Sequence, residues 1–225
     1  MSLLLFLTIL SQNQIDIDNF INNTAPHLNY LVNGTEILSD SKRVGFGIEG
    51  IYSDYKFLYY ADIARAPSFN GYITFKINNF TPYLKLGFYP KTSKTNKAVP
   101  LIAVGFNLIP KFSKSMIFRI GYGTLSLIEY FPGVPYFNYV YKNFHSFNLS
   151  VVGLKKISVF TPFLTAGLLP SYVTGKFRND ISQIEENFNK FNLGWHIGLG
   201  FKIFFAKINA ELVNSRLSAS TSFNL

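Results

Sequence analysis

From Asn192 to Phe204 the chain alternates with period two, and this stretch limits the fold more than any other. Leu193, Trp195, Ile197, Leu199, Phe201 and Ile203 fall on one face of an extended strand. Asn192, Gly194, His196, Gly198, Gly200 and Lys202 fall on the other. Lys207–Leu212 repeats the pattern, with Ile208, Ala210 and Leu212 opposite Lys207, Asn209 and Glu211. The spacing predicts further strands at 43–53, 55–65, 69–78, 80–89, 99–109, 115–127, 145–155 and 158–169. Most have the length of about ten residues that a tilted strand needs to cross a bilayer.

Alternation alone leaves open which face points inward. In a soluble barrel the polar face meets water and carries many charges. Here the polar face is mostly Gly, Ser, Thr, Asn and Tyr. Charged residues make up 15% of the 225 residues, against about 25% in a typical soluble domain. Aromatic residues reach 17%, led by 24 Phe and 14 Tyr. Few charges and many rings suit an apolar outer band with aromatic girdles around a narrow polar lumen. The chain has no cysteine, which excludes disulfide scaffolds, thiolate metal sites and cysteine nucleophiles. The net charge of +9 is scattered along the chain, so no nucleic-acid partner is expected.

The expected fold is all-β: a closed antiparallel up-and-down transmembrane barrel of about 12 strands, with 10 or 8 as alternatives, and a short N-terminal helix. Connections near 78–80, 110–114, 155–158 and 204–206 are short, whereas those at 90–98, 128–144 and 170–190 are long. This matches periplasmic turns alternating with outer loops. With the last strand running down to the periplasm, counting backwards makes 43–53 a downward strand. A twelfth strand is then required at about His27–Leu38. A count of 10 on this reckoning puts the long loops in the periplasm.

Phe80-Thr81-Pro82-Tyr83-Leu84-Lys85-Leu86-Gly87 is echoed by Phe160-Thr161-Pro162-Phe163-Leu164-Thr165-Ala166-Gly167. The shared Thr-Pro-aromatic-Leu-x-x-Gly pattern is similar to the upward strands of small outer-membrane barrels. The tail from Leu217 to Leu225 alternates up to its last residue, as the closing strands of such proteins do. Together with the glycine-rich strand around Trp195, these segments give a chain that resembles the small outer-membrane β-barrel proteins of diderm bacteria. The resemblance implies an outer-membrane location and a monomer. Its expected partners are membrane lipid, lipopolysaccharide or an equivalent outer leaflet, and the barrel-assembly machinery.

At the N-terminus, residues 1–11 (Met1 to Ser11) read as a signal peptide, with an apolar core and a small residue before the polar turn in composition. The domain reading is signal peptide 1–11, amphipathic segment 12–25 and barrel 26–225. Asp16–Thr24 carries Ile17, Phe20 and Ile21 on one helical side and is a candidate plug for the periplasmic mouth. It resembles, in architecture only, the N-terminal plug of outer-membrane transporters for hydrophobic compounds. A second helix is expected over Asn179–Lys190, where Asp180 and Gln183 form a capping-box pattern.

Strand parity assigns Glu49, Lys56, Asp62, Lys76, Lys85, Arg119, His196, Lys202, Lys207 and Glu211 to the lumen. Basic groups outnumber acidic ones, which suits either interlocked ion pairs or the lining of a narrow anion-preferring pore. No catalytic set, metal cluster or cofactor motif stands out. The expected function is a structural role or the transport of small solutes or hydrophobic compounds. A rim-active lipid enzyme using His145 or His196 and a secreted lipocalin-like binder are the alternatives.

Overall fold

The computed structural model describes residues 21–34, 43–56, 63–90, 97–130, 139–179 and 184–224. The signal-peptide reading of 1–11 lies outside them. Ten antiparallel strands form one closed barrel: β1 (Val44–Lys56), β2 (Ile63–Phe75), β3 (Phe80–Tyr89), β4 (Val99–Leu108), β5 (Met116–Tyr130), β6 (Tyr139–Leu154), β7 (Phe160–Asn179), β8 (Ile184–Ile203), β9 (Ala206–Val213) and β10 (Arg216–Asn224). Each strand pairs with its sequence neighbours, and β1 closes on β10, with Gly47 opposite Asn224 and Ser53 opposite Ser218. A helix, α1, occupies residues 21–33.

The count of ten replaces the expected twelve for two reasons. His27–Leu38 does not supply a strand, because α1 runs through residue 33. The candidate at 55–65 is shared between the end of β1 and the start of β2, which pair from Lys56 and Ile63 downward. The two lost strands precede every long loop, so the loops at 90–98 and beyond keep their side. The first described strand, β1, begins at Val44.

Among the described residues the helix expected over Asn179–Lys190 is absent. Asn179 ends β7 and residues 184–190 belong to β8, which pairs with β7 from Asn179↔Ile184 through Phe160↔Ile203; residues 180–183 lie outside the described residues. Neighbouring strand pairing overrides the local capping pattern there. β7 and β8 have 20 residues each, whereas β9 has 8 and β10 has 9, so the wall is tall on one side and low on the other.

The barrel is inside-out relative to a soluble protein. Ile197, Leu199 and Leu193 are 53%, 64% and 55% exposed, whereas His196 is 2%. Ile208 and Leu212 point outward while Lys207, Asn209 and Glu211 are buried. The same parity holds around the ring, with Phe46, Ile48, Leu86, Ile102, Ile120 and Leu149 exposed. An apolar surface encircling a polar interior is stable in a hydrocarbon solvent, and the closed ladder leaves no strand edge unpaired within it. Among the described residues no helix is long and apolar enough to cross a membrane.

The echoed segments occupy equivalent places. Ile77 donates its N–H to Phe80 O at 2.8 Å, and Ile157 does the same to Phe160 O at 2.8 Å. Asn78 and Ser158 both adopt φ 55 in these turns. Phe204 follows the same device in the β8–β9 turn with φ 49. These turns, with 109–115, lie at the end where β1 begins and β10 finishes. We call it the turn end, and the opposite end the loop end.

Candidate functional site

The lumen is filled by α1. Ala25, Leu28, Tyr30, Leu31 and Val32 are each no more than 1% exposed, although a free helix of this length would show one side to solvent. Gly34 ends it in a left-handed conformation, φ 66, with its N–H bonded to Tyr30 O at 2.7 Å. This is the ordinary glycine cap of a helix C-terminus. A Cβ at Gly34 would also run into Lys85 Nζ and Glu49 Oε2.

The helix descends through the barrel. Near its start, Asn192, well up β8, donates to Asn22 at 2.8 Å, and Pro26 packs where a Cβ on Gly194 would sit. Midway, His27 Nδ1 meets Ser53 Oγ at 2.7 Å, and Ser53 meets Ser218 at 2.7 Å. Asn29 donates to the carbonyls of Phe147 and Pro170, both at 2.9 Å, and reaches Ser171 at 3.0 Å. Asn33, one turn below, donates to Asn29 at 2.8 Å and Ser146 at 2.9 Å. At the bottom, Lys85 donates to Asn33 O at 2.8 Å, and Arg119, close to the start of β5, donates to Gly34 O at 3.1 Å and also to Asn33 O. The N-terminus of α1 therefore lies toward the loop end and its C-terminus toward the turn end.

The lumen divides accordingly. Its upper part holds an apolar cluster, in which Ile21, Ala25 and Leu28 join Leu101, Leu127, Phe144 and Leu169, beside buried Thr24 and Lys142. Its lower part is charged. Lys85 and Glu49 form an ion pair at 2.6 Å with both side chains fully buried, and Asn70 donates to the same Glu49 oxygen at 3.2 Å. Arg119 lies over the Tyr83 ring at 5.1 Å and donates to its hydroxyl at 3.1 Å. The two cations thus face one carboxylate and the carbonyl end of a helix dipole, which carries roughly half a negative charge. This offsets most of the charge of Lys85 and Arg119 within the lumen.

A second buried pair stands on β8 and β9. His196 Nδ1 is 2.5 Å from Glu211 Oε2, and Asn209 also donates to Glu211. Tyr30 lies beside His196, with ring centroids 6.4 Å apart. Lys207 is buried, Lys202 and Lys76 are half-buried near the turn end, and Lys202 faces Lys207 across β8–β9. The Lys56 side chain and Asp62 lie outside the described residues. His145 and Ser146 point to opposite sides of the wall. His145 bonds Tyr122 at 2.8 Å on the outer side, whereas Ser146 is fully buried and donates to Gly123 O at 3.0 Å. They form no catalytic pair. Among the described residues no group of His, Asp or Glu is placed to hold a metal ion.

Sequence reasoning missed the helix side of this site, namely Asn29, Tyr30, Asn33 and Gly34. The available signals were the i, i+4 spacing of Asn29 and Asn33 and the Asn-Gly stop at 33–34.

No family model and no curated protein matches the chain. Among solved structures, it is similar to the translocator domain of the autotransporter NalP from Neisseria meningitidis. That match has a TM-score of 0.50 and 9% identity over 96% of this chain and 97% of that one. The fold is that of an outer-membrane β-barrel. Neisserial surface protein A is a weaker match, with a TM-score of 0.34 and 10% identity over 83% of this chain and 97% of that one.

Proposed function

We propose that the chain is an outer-membrane barrel sealed by its own N-terminal helix, and that it anchors and presents the segment preceding Ile21 on the outer side. The observation that carries this reading is the direction of α1. Its start lies near Asn192 and its end is held by Lys85 and Arg119. α1 thus runs from the loop end to the turn end, where β1 begins. With short turns periplasmic and longer loops outside, the start of α1 at Ile21 faces the outer side. The likeness to a translocator domain supports the barrel architecture alone.

Small-solute or hydrophobic-compound transport is the second reading, favoured by the apolar upper lumen around Leu101, Leu127 and Phe144. It requires α1 to leave, because the helix occupies that space. A structural anchor needs no such movement.

The absence of native cysteine makes labelling clean. Asn23, exposed at the upper end of α1, is replaced by Cys, and in a second variant the exposed turn residue Ser115 is replaced. A membrane-impermeant maleimide should label Asn23→Cys on intact cells and Ser115→Cys only after the outer membrane is opened. The reverse pattern overturns the reading.

A further inference from the structure

The turn end carries a charge pattern that sealing the lumen does not use. Arg43, Lys76, Lys111, Lys114, Lys155 and Lys156 stand at the start of β1 and in the turns 76–79, 109–115 and 155–159. No Asp or Glu occurs at these positions or in the 204–205 turn. All six of these cations are exposed except the half-buried Lys76.

Each cationic turn also exposes large apolar side chains. Ile77 is 59% exposed, Phe112 80%, Ile157 50%, Val159 53% and Phe204 67%. Three turns repeat one arrangement: Lys76-Ile77, Lys156-Ile157 and Lys202-Ile203 each precede a residue with positive φ. In the first two that residue is small and polar, Asn78 or Ser158. In the third it is Phe204, a bulky residue for which φ 49 is unfavourable. A glycine would relax the turn, so an outward ring is held there against local backbone preference. Just above, Phe80–Phe106 and Phe160–Phe201 form outward ring pairs with centroids 4.8 Å and 5.7 Å apart.

We infer that the turn end is a binding surface for anionic phospholipid headgroups, with the exposed Ile and Phe tips set in the interfacial layer and the Lys and Arg paired to lipid phosphates. Rings at the headgroup level and snorkelling lysines beside them are the two ways a side chain satisfies both phases of a membrane interface. A soluble polyanion would account for the cations but leave Phe112 and Phe204 in water. Each cation near an anionic surface contributes about 1 kcal/mol, or roughly fivefold in binding.

The test uses the full chain, purified in mixed micelles holding equal POPG and POPC, with retained lipids counted by native mass spectrometry. The wild type should retain POPG in preference to POPC, and 0.5 M salt, applied before transfer to the spectrometer, should reduce that preference. Lys111→Gln/Lys114→Gln/Lys155→Gln/Lys156→Gln should lower it by at least a hundredfold. A loop-end control, Lys190→Gln/Arg216→Gln, should keep it. An unchanged preference in the fourfold variant, or an equal loss in the control, overturns the assignment. So does heparin binding by a wild type that does not discriminate POPG from POPC. If the fourfold variant fails to show the heat-modifiable migration of a folded barrel, Lys111→Gln/Lys114→Gln and the salt series decide on the same criteria.

Discussion

Lys85 Nζ lies 2.6 Å from Glu49 Oε2, and neither side chain has any solvent exposure. Such a pair contributes little net stability when intact and costs a great deal when halved, because one charge is left buried without its counter-ion. Lys85→Met should therefore destabilise the barrel by about 3–5 kcal/mol. Glu49→Gln/Lys85→Met should lose less than Lys85→Met alone. Urea unfolding in lipid vesicles, followed by the fluorescence of Trp195, measures both. A double variant as unstable as the single one would refute the pairing argument.

Gly34 is the hinge by which α1 leaves the lumen floor. Gly34→Val places a β-branched residue at φ 66 and drives Cβ toward Lys85 and Glu49. A strained backbone of this kind costs about 1–3 kcal/mol, and the steric conflict adds to it. Amide hydrogen exchange should show lost protection in residues 21–33 while the strands stay protected. Retained protection in α1 would show that the glycine is dispensable.

The seal makes an electrical prediction. Reconstituted in planar bilayers, the full chain should show no steady conductance, since α1 fills the lumen. Removing residues 21–34 should give ion channels. Asn29→Leu, which deletes the contacts to Phe147, Pro170 and Ser171, should give intermittent openings. Large steady currents from the intact chain would contradict a sealed barrel.

The outer face can be probed at Leu199, which is 64% exposed. Arginine near the bilayer midplane costs about 2–4 kcal/mol on a lipid-facing strand, so Leu199→Arg should impair folding into vesicles while Leu199→Phe should not. Trp195 is the single tryptophan and is 39% exposed on the same face. Brominated lipids should quench it. Protection from quenching in a water-soluble monomer would point to the lipocalin-like alternative.

The wall was readable from the sequence because a barrel strand writes its two environments into alternate residues. The partition of Leu193, Trp195 and Ile197 from His196 and Gly198 needs no tertiary knowledge. The helix was harder. Residues 27–33 carry apolar and polar groups on every side, since all sides meet protein, so they show neither strand alternation nor a clean amphipathic stripe. His196 and Glu211 are far apart in sequence and become partners only once the β8–β9 register sets Gly198 opposite Glu211. Asn179–Lys190 misled in the other direction, because a helical spacing of Ile181, Ile184 and Phe188 lost to pairing along the whole length of β7.

The order of the chain has a kinetic consequence. α1 precedes every strand, yet ends up inside a ring closed by the first strand and the last, with Gly47 against Asn224. That seam is among the most sequence-distant contacts in the molecule, and loop-closure entropy makes such contacts late and slow. Strands β1, β2, β3, β5, β6, β7 and β8 all hydrogen-bond to the helix. A sheet that wraps α1 before the seam closes would use it as a mandrel, with the last hairpin meeting an edge already held at the right curvature; pulse-labelling hydrogen exchange that protects the β1–β10 seam before residues 21–33 would overturn this order.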